Sequence, residues 1–124
     1  MTQIIPLETE EQKALVQYLN AKKLFYFAVP NGAVLKGTPL QRARQMKKLK
    51  AEGLIAGTSD IVVLLKEKIL FIEMKRIKKS TISKEQKAFL EKVNKFPYAV
   101  GKVCKGAKEA IEFIESHIKK ENKG

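Results

Sequence analysis

The chain has 124 residues, 44% of them apolar, and a formal net charge of +12, which is enough for one domain with a genuine core and too little for two. Its one cysteine, Cys104, excludes an internal disulfide or a cysteine metal cluster. No apolar run reaches membrane-spanning length, and MTQIIPLETEEQ lacks the layout of a signal peptide, so a cytoplasmic protein is expected.

Taken in chain order, residues 8–22 predict an amphipathic helix with Leu15, Val16 and Leu19 on its apolar side. Thr9 is a candidate cap for its first turn, whose acidic residues suit the helix dipole. LFYFAV, residues 24–29, reads as a short buried strand, with Phe25 and Tyr26 as core or edge packing. The turn signal Pro30-Asn31-Gly32 halts it. Thr38-Pro39-Leu40-Gln41 has the capping-box pattern with proline at the first helical position, opening a basic helix over 39–52 that Gly53 closes. Two apolar strands follow over 60–66 and 69–75, then a helix over 84–95 with Phe89, Leu90 and Val93 inward, ended by Pro97. A strand over 98–104 and a helix over 107–119 complete a single domain spanning residues 1–120, with 121–124 expected as a disordered basic tail. The order α-β-α-β-β-α-β-α implies an α/β fold: a mixed sheet of four strands flanked by helices on both faces. Cys104 lies in the apolar run YAVGKVC and is expected as a buried structural thiol. His117 is expected to complement the last helix's C-terminus.

The chemistry concentrates in GTSD-IVVLLKEK-ILFIEMK. A two-residue loop at Glu67-Lys68 would set Asp60 opposite Lys75 and diagonal to Glu73. Side chains alternate faces along a strand, so all three project from one face. Two carboxylates and an ammonium at one end of a hairpin are what a divalent-metal phosphodiesterase site requires. Hard oxygen ligands hold Mg²⁺ or Mn²⁺, and a lysine beside them orients water or neutralises the developing phosphorane charge. Asp followed by E-x-K is a weak pattern taken alone, since such charges also pair on exposed strand edges.

The pattern does not stand alone. AEGLIAGTSDIVVLL, LFIEMKR and STISKEQKAFLEKV, in that order, resemble the VRR-NUC nucleases, a branch of the PD-(D/E)XK superfamily. VPNGAVLKGTPLQRARQMKKLKAEG resembles the segment preceding that family's metal site, LETEEQKALVQYL its first helix, and YAVGKVCKGAKEAIEFI its closing unit. The likeness runs from Glu8 to Ile114. It implies a restriction-endonuclease-like fold, with Asp60, Glu73 and Lys75 as the D…E-x-K core and the Met74 carbonyl as a further metal ligand. It also implies a glutamate brought to the metal by the first helix. Glu8 and Glu11 lie on one face of that helix; Glu11 is the choice and Glu8 the alternative. Gln86 resembles the family's glutamine near the active site, although Ser83-Lys84-Glu85-Gln86 is also a capping box. One departure is Ser59, where the family usually has proline before the acidic residue.

The +12 charge is expected to draw polyanions through its summed field and counterion release. Arg42, Arg44, Lys47 and Lys48 crowd one helix, Lys36 precedes it, and Arg76 follows the second site strand, which suits a phosphate-tracking groove. The resemblance places Asn31 near the site too. Few aromatic residues interleave with these cations, so reading of backbone and shape is expected over base stacking. The function expected is a metal-dependent DNA endonuclease acting on branched, flapped or junction DNA, and the resemblance implies a homodimer. The alternative is a non-catalytic nucleic-acid-binding protein on a nuclease-like fold.

Overall fold

Alternation along two central strands decides the layout. In a computed structural model, which describes residues 4–30 and 35–123, the elements follow the expected order. They are α1 (Glu8–Ala21), β1 (Phe25–Ala28), α2 (Pro39–Ala51), β2 (Ile61–Leu64), β3 (Ile69–Lys75), α3 (Lys84–Val93), β4 (Ala99–Lys105) and α4 (Ala107–Lys123). Asn31 and Gly32 lie outside the described residues. The four strands form one sheet in sequence order. β1 and β3 run antiparallel to β2, and β4 runs parallel to β3. A parallel pair needs a crossover, and α3 supplies it.

One face of the sheet carries Ile61, Val63, Leu70, Ile72, Met74 and Cys104. They meet Leu15 and Leu19 of α1 and Ala107, Ala110, Phe113 and Ile114 of α4, and this cluster is the core. Burial pushes the Cys104 thiol up to about 12, as befits an inert packing group. On the other face α3 covers β3 and β4: Phe71 meets Phe89 edge to face with ring centroids 6.0 Å apart. Gly101 lets the helix come close, since a Cβ there would lie 2.8 Å from Leu90 Cδ2.

Several expectations need correcting. The hairpin pairs Leu64 with Ile69 and Ile61 with Ile72, and the Leu65 N–H donates to the Lys68 carbonyl at 2.8 Å. The loop is therefore Lys66-Glu67, and the register moves by two residues. Carried one step further, it sets Asp60 opposite Glu73 instead of Lys75. A slip of two leaves every side chain on its own face, whereas a slip of one would have inverted them. The cause is remote: Glu121 of α4 accepts the amides of Lys66 and Glu67 at 3.3 and 2.8 Å. Residues 121–123, expected in a tail, are the last turn of α4. His117 consequently lies inside the helix, edge-on to Phe113, and burial lowers its pKa, so it brings no charge to the C-terminus at neutral pH. Leu7, not Thr9, holds the N-cap position of α1, without a side-chain cap bond. β1 is an edge strand whose Phe25 and Phe27 are exposed, not buried.

α2 is attached differently from the other helices. None of its residues is buried. Its capping box from Thr38 and Gln41 is formed, and the Gln45 side chain exchanges two hydrogen bonds with the Lys36 backbone, at 3.1 and 2.8 Å. The loop after it is seated by Gly57, whose φ is +81°. A Cβ at Gly57 would lie 2.3–2.5 Å from backbone atoms of Glu85 and Gln86. Gly57→Ala should therefore cost about 3 kcal/mol, from left-handed strain plus displacement of the first turn of α3. A urea melt coinciding with wild type would refute that close approach.

Candidate active site

Asp60 stands immediately before β2, and Glu73 and Lys75 occupy the far end of β3. Glu73 is 1% exposed, and Asp60 and Lys75 are 9% exposed. Burying three ionisable groups together is costly unless they are paired, and here the pairing is incomplete. Asp60 Oδ2 accepts the Met74 N–H at 2.7 Å. Glu73 Oε1 accepts from Gln86 Nε2 at 2.6 Å and lies 3.7 Å from Lys75 Nζ. Glu73 Oε2 is buried and meets no donor among the described residues. Burial, foremost, and the negative charge of Asp60 push the Glu73 carboxyl up to about 8, against the downward pull of Lys75. The Asp60 carboxyl lies within electrostatic reach of Glu73.

The two candidate glutamates of the first helix face different neighbours. Glu8 lies within electrostatic reach of Asp60 and Lys75, and burial with the Asp60 charge raises its pKa. Glu11, the residue chosen from the helix periodicity, turns to α4, where its Oε1 accepts the Ala107 N–H at 3.2 Å. A carboxylate at that N-terminus is favoured by the helix dipole. Arg76 sets the difference. Its Nε and Nη2 donate to the carbonyls of Pro6 and Ile5 at 3.3 and 3.2 Å, holding the approach to α1 against the end of β3. A guanidinium expected to bind nucleic acid thus has an internal partner.

Gln86 caps α3 and reaches Glu73 at the same time. Its backbone N–H donates to Ser83 Oγ and its Oε1 accepts the Ser83 N–H, which completes the capping box of α3. Its Nε2 is left for Glu73. The amide is satisfied at both ends, and only glutamine provides an acceptor and a donor there.

Of the expected phosphate contacts, Lys36, Arg42, Arg44, Lys47 and Lys48 are all exposed, and Asn31 lies outside the described residues. At 3.6 residues per turn, Arg44, Lys47 and Lys48 share the side of α2 opposite its half-buried Gln45, Met46 and Leu49. Beneath α2 lies a cavity of about 460 Å³ bordered by Met46, Lys50, Gly57, Thr58 and Gln86. Gln86, which bonds Glu73, thus borders the same cavity as Met46 and Lys50 of α2. Neither the cavity position of Lys50 nor the clamp made by Arg76 carries a local signal in the sequence.

Among the described residues, no three acidic, imidazole or thiolate side chains close around one point as a cation cage. Mg²⁺ does not need such a cage, since it is commonly held by one or two carboxylates with water filling the remaining positions. The unmet Glu73 Oε2 beside the Asp60 carboxyl is the kind of vacancy in hydrogen bonding that a hard cation satisfies. The two groups of an extended residue point to the same side, so the Met74 carbonyl faces the side on which its N–H meets Asp60, beyond the last pair of the β2 ladder. The donor set fits a hard divalent ion.

Residues 7–108 match the family model described as the VRR-NUC domain. Among solved structures, one described as a VRR_NUC domain protein is similar with a TM-score of 0.74 at 21% identity, over 94% of this chain and 91% of that one. No curated protein matches the chain.

A carboxyl whose folded pKa is raised from 4.5 to about 8 stabilises the fold fully below pH 4.5. That stability is lost as pH rises towards 8. Without divalent cations, wild type should therefore lose stability relative to Glu73→Gln between those limits, as measured by urea midpoints. Midpoints that track each other across the range would place Glu73 in an ordinary environment.

Proposed function

The chain belongs to the VRR-NUC family, a nuclease family, and we propose that it hydrolyses phosphodiester bonds in DNA with a divalent cation, Mg²⁺ or Mn²⁺, at the Asp60–Glu73–Lys75 pocket. The observation that carries this is the buried Glu73 carboxyl, which faces Asp60 with one oxygen unmet and an ammonium alongside. Burial and the neighbouring Asp60 push this carboxyl up to about 8, so it holds a proton that a hard cation could replace.

Asp60, Glu73 and the Met74 carbonyl would hold the ion, with Glu8 at the margin of the same field. Bound there, it would acidify a coordinated water and polarise the phosphoryl oxygen. The protein's own groups divide the remaining work. Lys75 Nζ sits where it can orient the attacking water and offset charge on the phosphoryl oxygens as the new P–O bond forms and the old one breaks. Gln86 keeps Glu73 Oε1 aimed at the pocket, and the Met74 amide does the same for Asp60. Arg44, Lys47 and Lys48 would follow the phosphate backbone. Branched, flapped or junction DNA is the substrate class favoured, and a homodimer would present one site to each of two strands.

Purified protein should nick plasmid or flap DNA only with Mg²⁺ or Mn²⁺ and not with chelator. Asp60→Ala, Glu73→Ala and Lys75→Ala should each lower the rate by at least ~100-fold while DNA binding persists. Glu8→Gln should lower cleavage with little effect on stability, whereas Glu11→Gln should chiefly lower the melting temperature. Wild-type rates in the Asp60 and Glu73 variants would place the chemistry elsewhere.

Removing Arg42 and Arg44 together should weaken DNA binding and flatten its salt dependence by about one unit of slope per phosphate left unneutralised. An unchanged slope in a salt titration would move the groove away from α2.

A further inference from the structure

The face of the sheet that carries the carboxylates is not covered throughout. α3 lies over β3 and β4, whereas on the β1 side Phe25 is 69%, Phe27 48% and Leu64 37% exposed. The register sets Phe25 opposite Leu64 and Phe27 opposite Val62. Both phenyl rings therefore share the face of Asp60, two residues beyond Val62. Tyr26, between them, takes the other face, packs against the core and donates its hydroxyl to Asn20 Oδ1 at 2.8 Å. Alternation thus puts two phenyl rings in open solvent and the one phenol against protein, the reverse of what water prefers.

We propose that Phe25 and Phe27 form a stacking track that leads unpaired nucleotides of the substrate to the Asp60–Glu73–Lys75 pocket. The inference rests on the phosphodiesterase function proposed above and specifies a single-stranded segment as what that site engages. Three observations favour this occupant. Successive steps along the row from Phe25 to Phe27 to the level of Asp60 are about 7 Å each, twice the ~3.4 Å rise per base of one strand in a duplex. That spacing suits bases splayed one to a ring and not a closed double helix. The row runs along the sheet towards Asp60, reaching it at Val29, whose N–H donates to the Asp60 carbonyl at 2.8 Å. At its far end Lys23 and Lys66 border the same cavity of about 400 Å³ as Phe25 and Leu64, with Glu121 of α4 also lining it, so two cations stand beside the outer ring for a phosphate to meet. A second copy of the chain suits the face less well. Three side chains fall short of the ~800 Å² per partner that stable dimers bury.

The chain has no tryptophan, so Phe27→Trp introduces a single reporter. Binding is measured in chelator, where nothing is cut, with a short oligothymidine and a blunt duplex as probes. Oligothymidine should quench the Phe27→Trp emission. Phe27→Leu, which keeps apolar bulk and loses the π face, should lower the ratio of single-strand to duplex affinity by about tenfold, with Phe27→Trp restoring it. A ratio unchanged in Phe27→Leu, or emission untouched by oligothymidine, overturns the track. So does sedimentation in which Phe25→Ala with Phe27→Ala turns an associated wild type into monomer while the ratio holds, because the face then joins two copies. Absence of stacking with metal-dependent cleavage of flap DNA intact refutes the track alone. Quenching without any metal-dependent cleavage by wild type refutes the phosphodiesterase assignment on which it rests.

Discussion

Two carboxylates facing each other across a hairpin, inside a fold that excludes water from them, are the constraint to which the neighbouring elements answer. Glu73 is almost wholly buried beside Asp60, and like charges so placed cannot both ionise without help. The local groups give partial help: a backbone amide for Asp60, a side-chain amide and an ammonium 3.7 Å away for Glu73. Enough charge is left uncompensated to prefer a proton or a hard cation. Such residual frustration is characteristic of functional sites and is uncommon in ion pairs that serve folding alone.

Much of this was legible in the sequence because the determining signals are local. Period-two alternation through IVVLL and ILFIEMK put Asp60, Glu73 and Lys75 on one face, and the capping boxes at Thr38 and Ser83 fixed where two helices begin. Even the misplaced hairpin loop did no damage to the site, since a shift of two residues conserves the face. What was not legible depends on contacts between distant parts of the chain. Glu8 and Glu11 share a helical face, so periodicity could not choose between them. Their different surroundings come from Arg76 gripping Ile5 and Pro6 and from Ala107 offering its amide to Glu11. The loop register is set by Glu121, 54 residues further along the chain from Glu67. The exposure of Phe25 and Phe27 follows from where α3 does not reach, which no composition of β1 could reveal.

α2 illustrates a different compromise. A helix so rich in lysine and arginine has little apolar surface to bury, and none of its residues is buried. It is positioned by polar links at its start and by the loop that follows it, whose Gly57 rests directly on the backbone of Glu85 and Gln86. Cationic surface is thereby presented to solvent while staying mechanically joined to the pocket.

The divided amide of Gln86 has a dynamic consequence. Helix ends open and close far more often than cores, and this end carries the donor that steadies Glu73. The acid in the middle of the sheet thus leans on one of the less stable kinds of element, and the close seat of Gly57 against Glu85 and Gln86 braces the turn on which it depends.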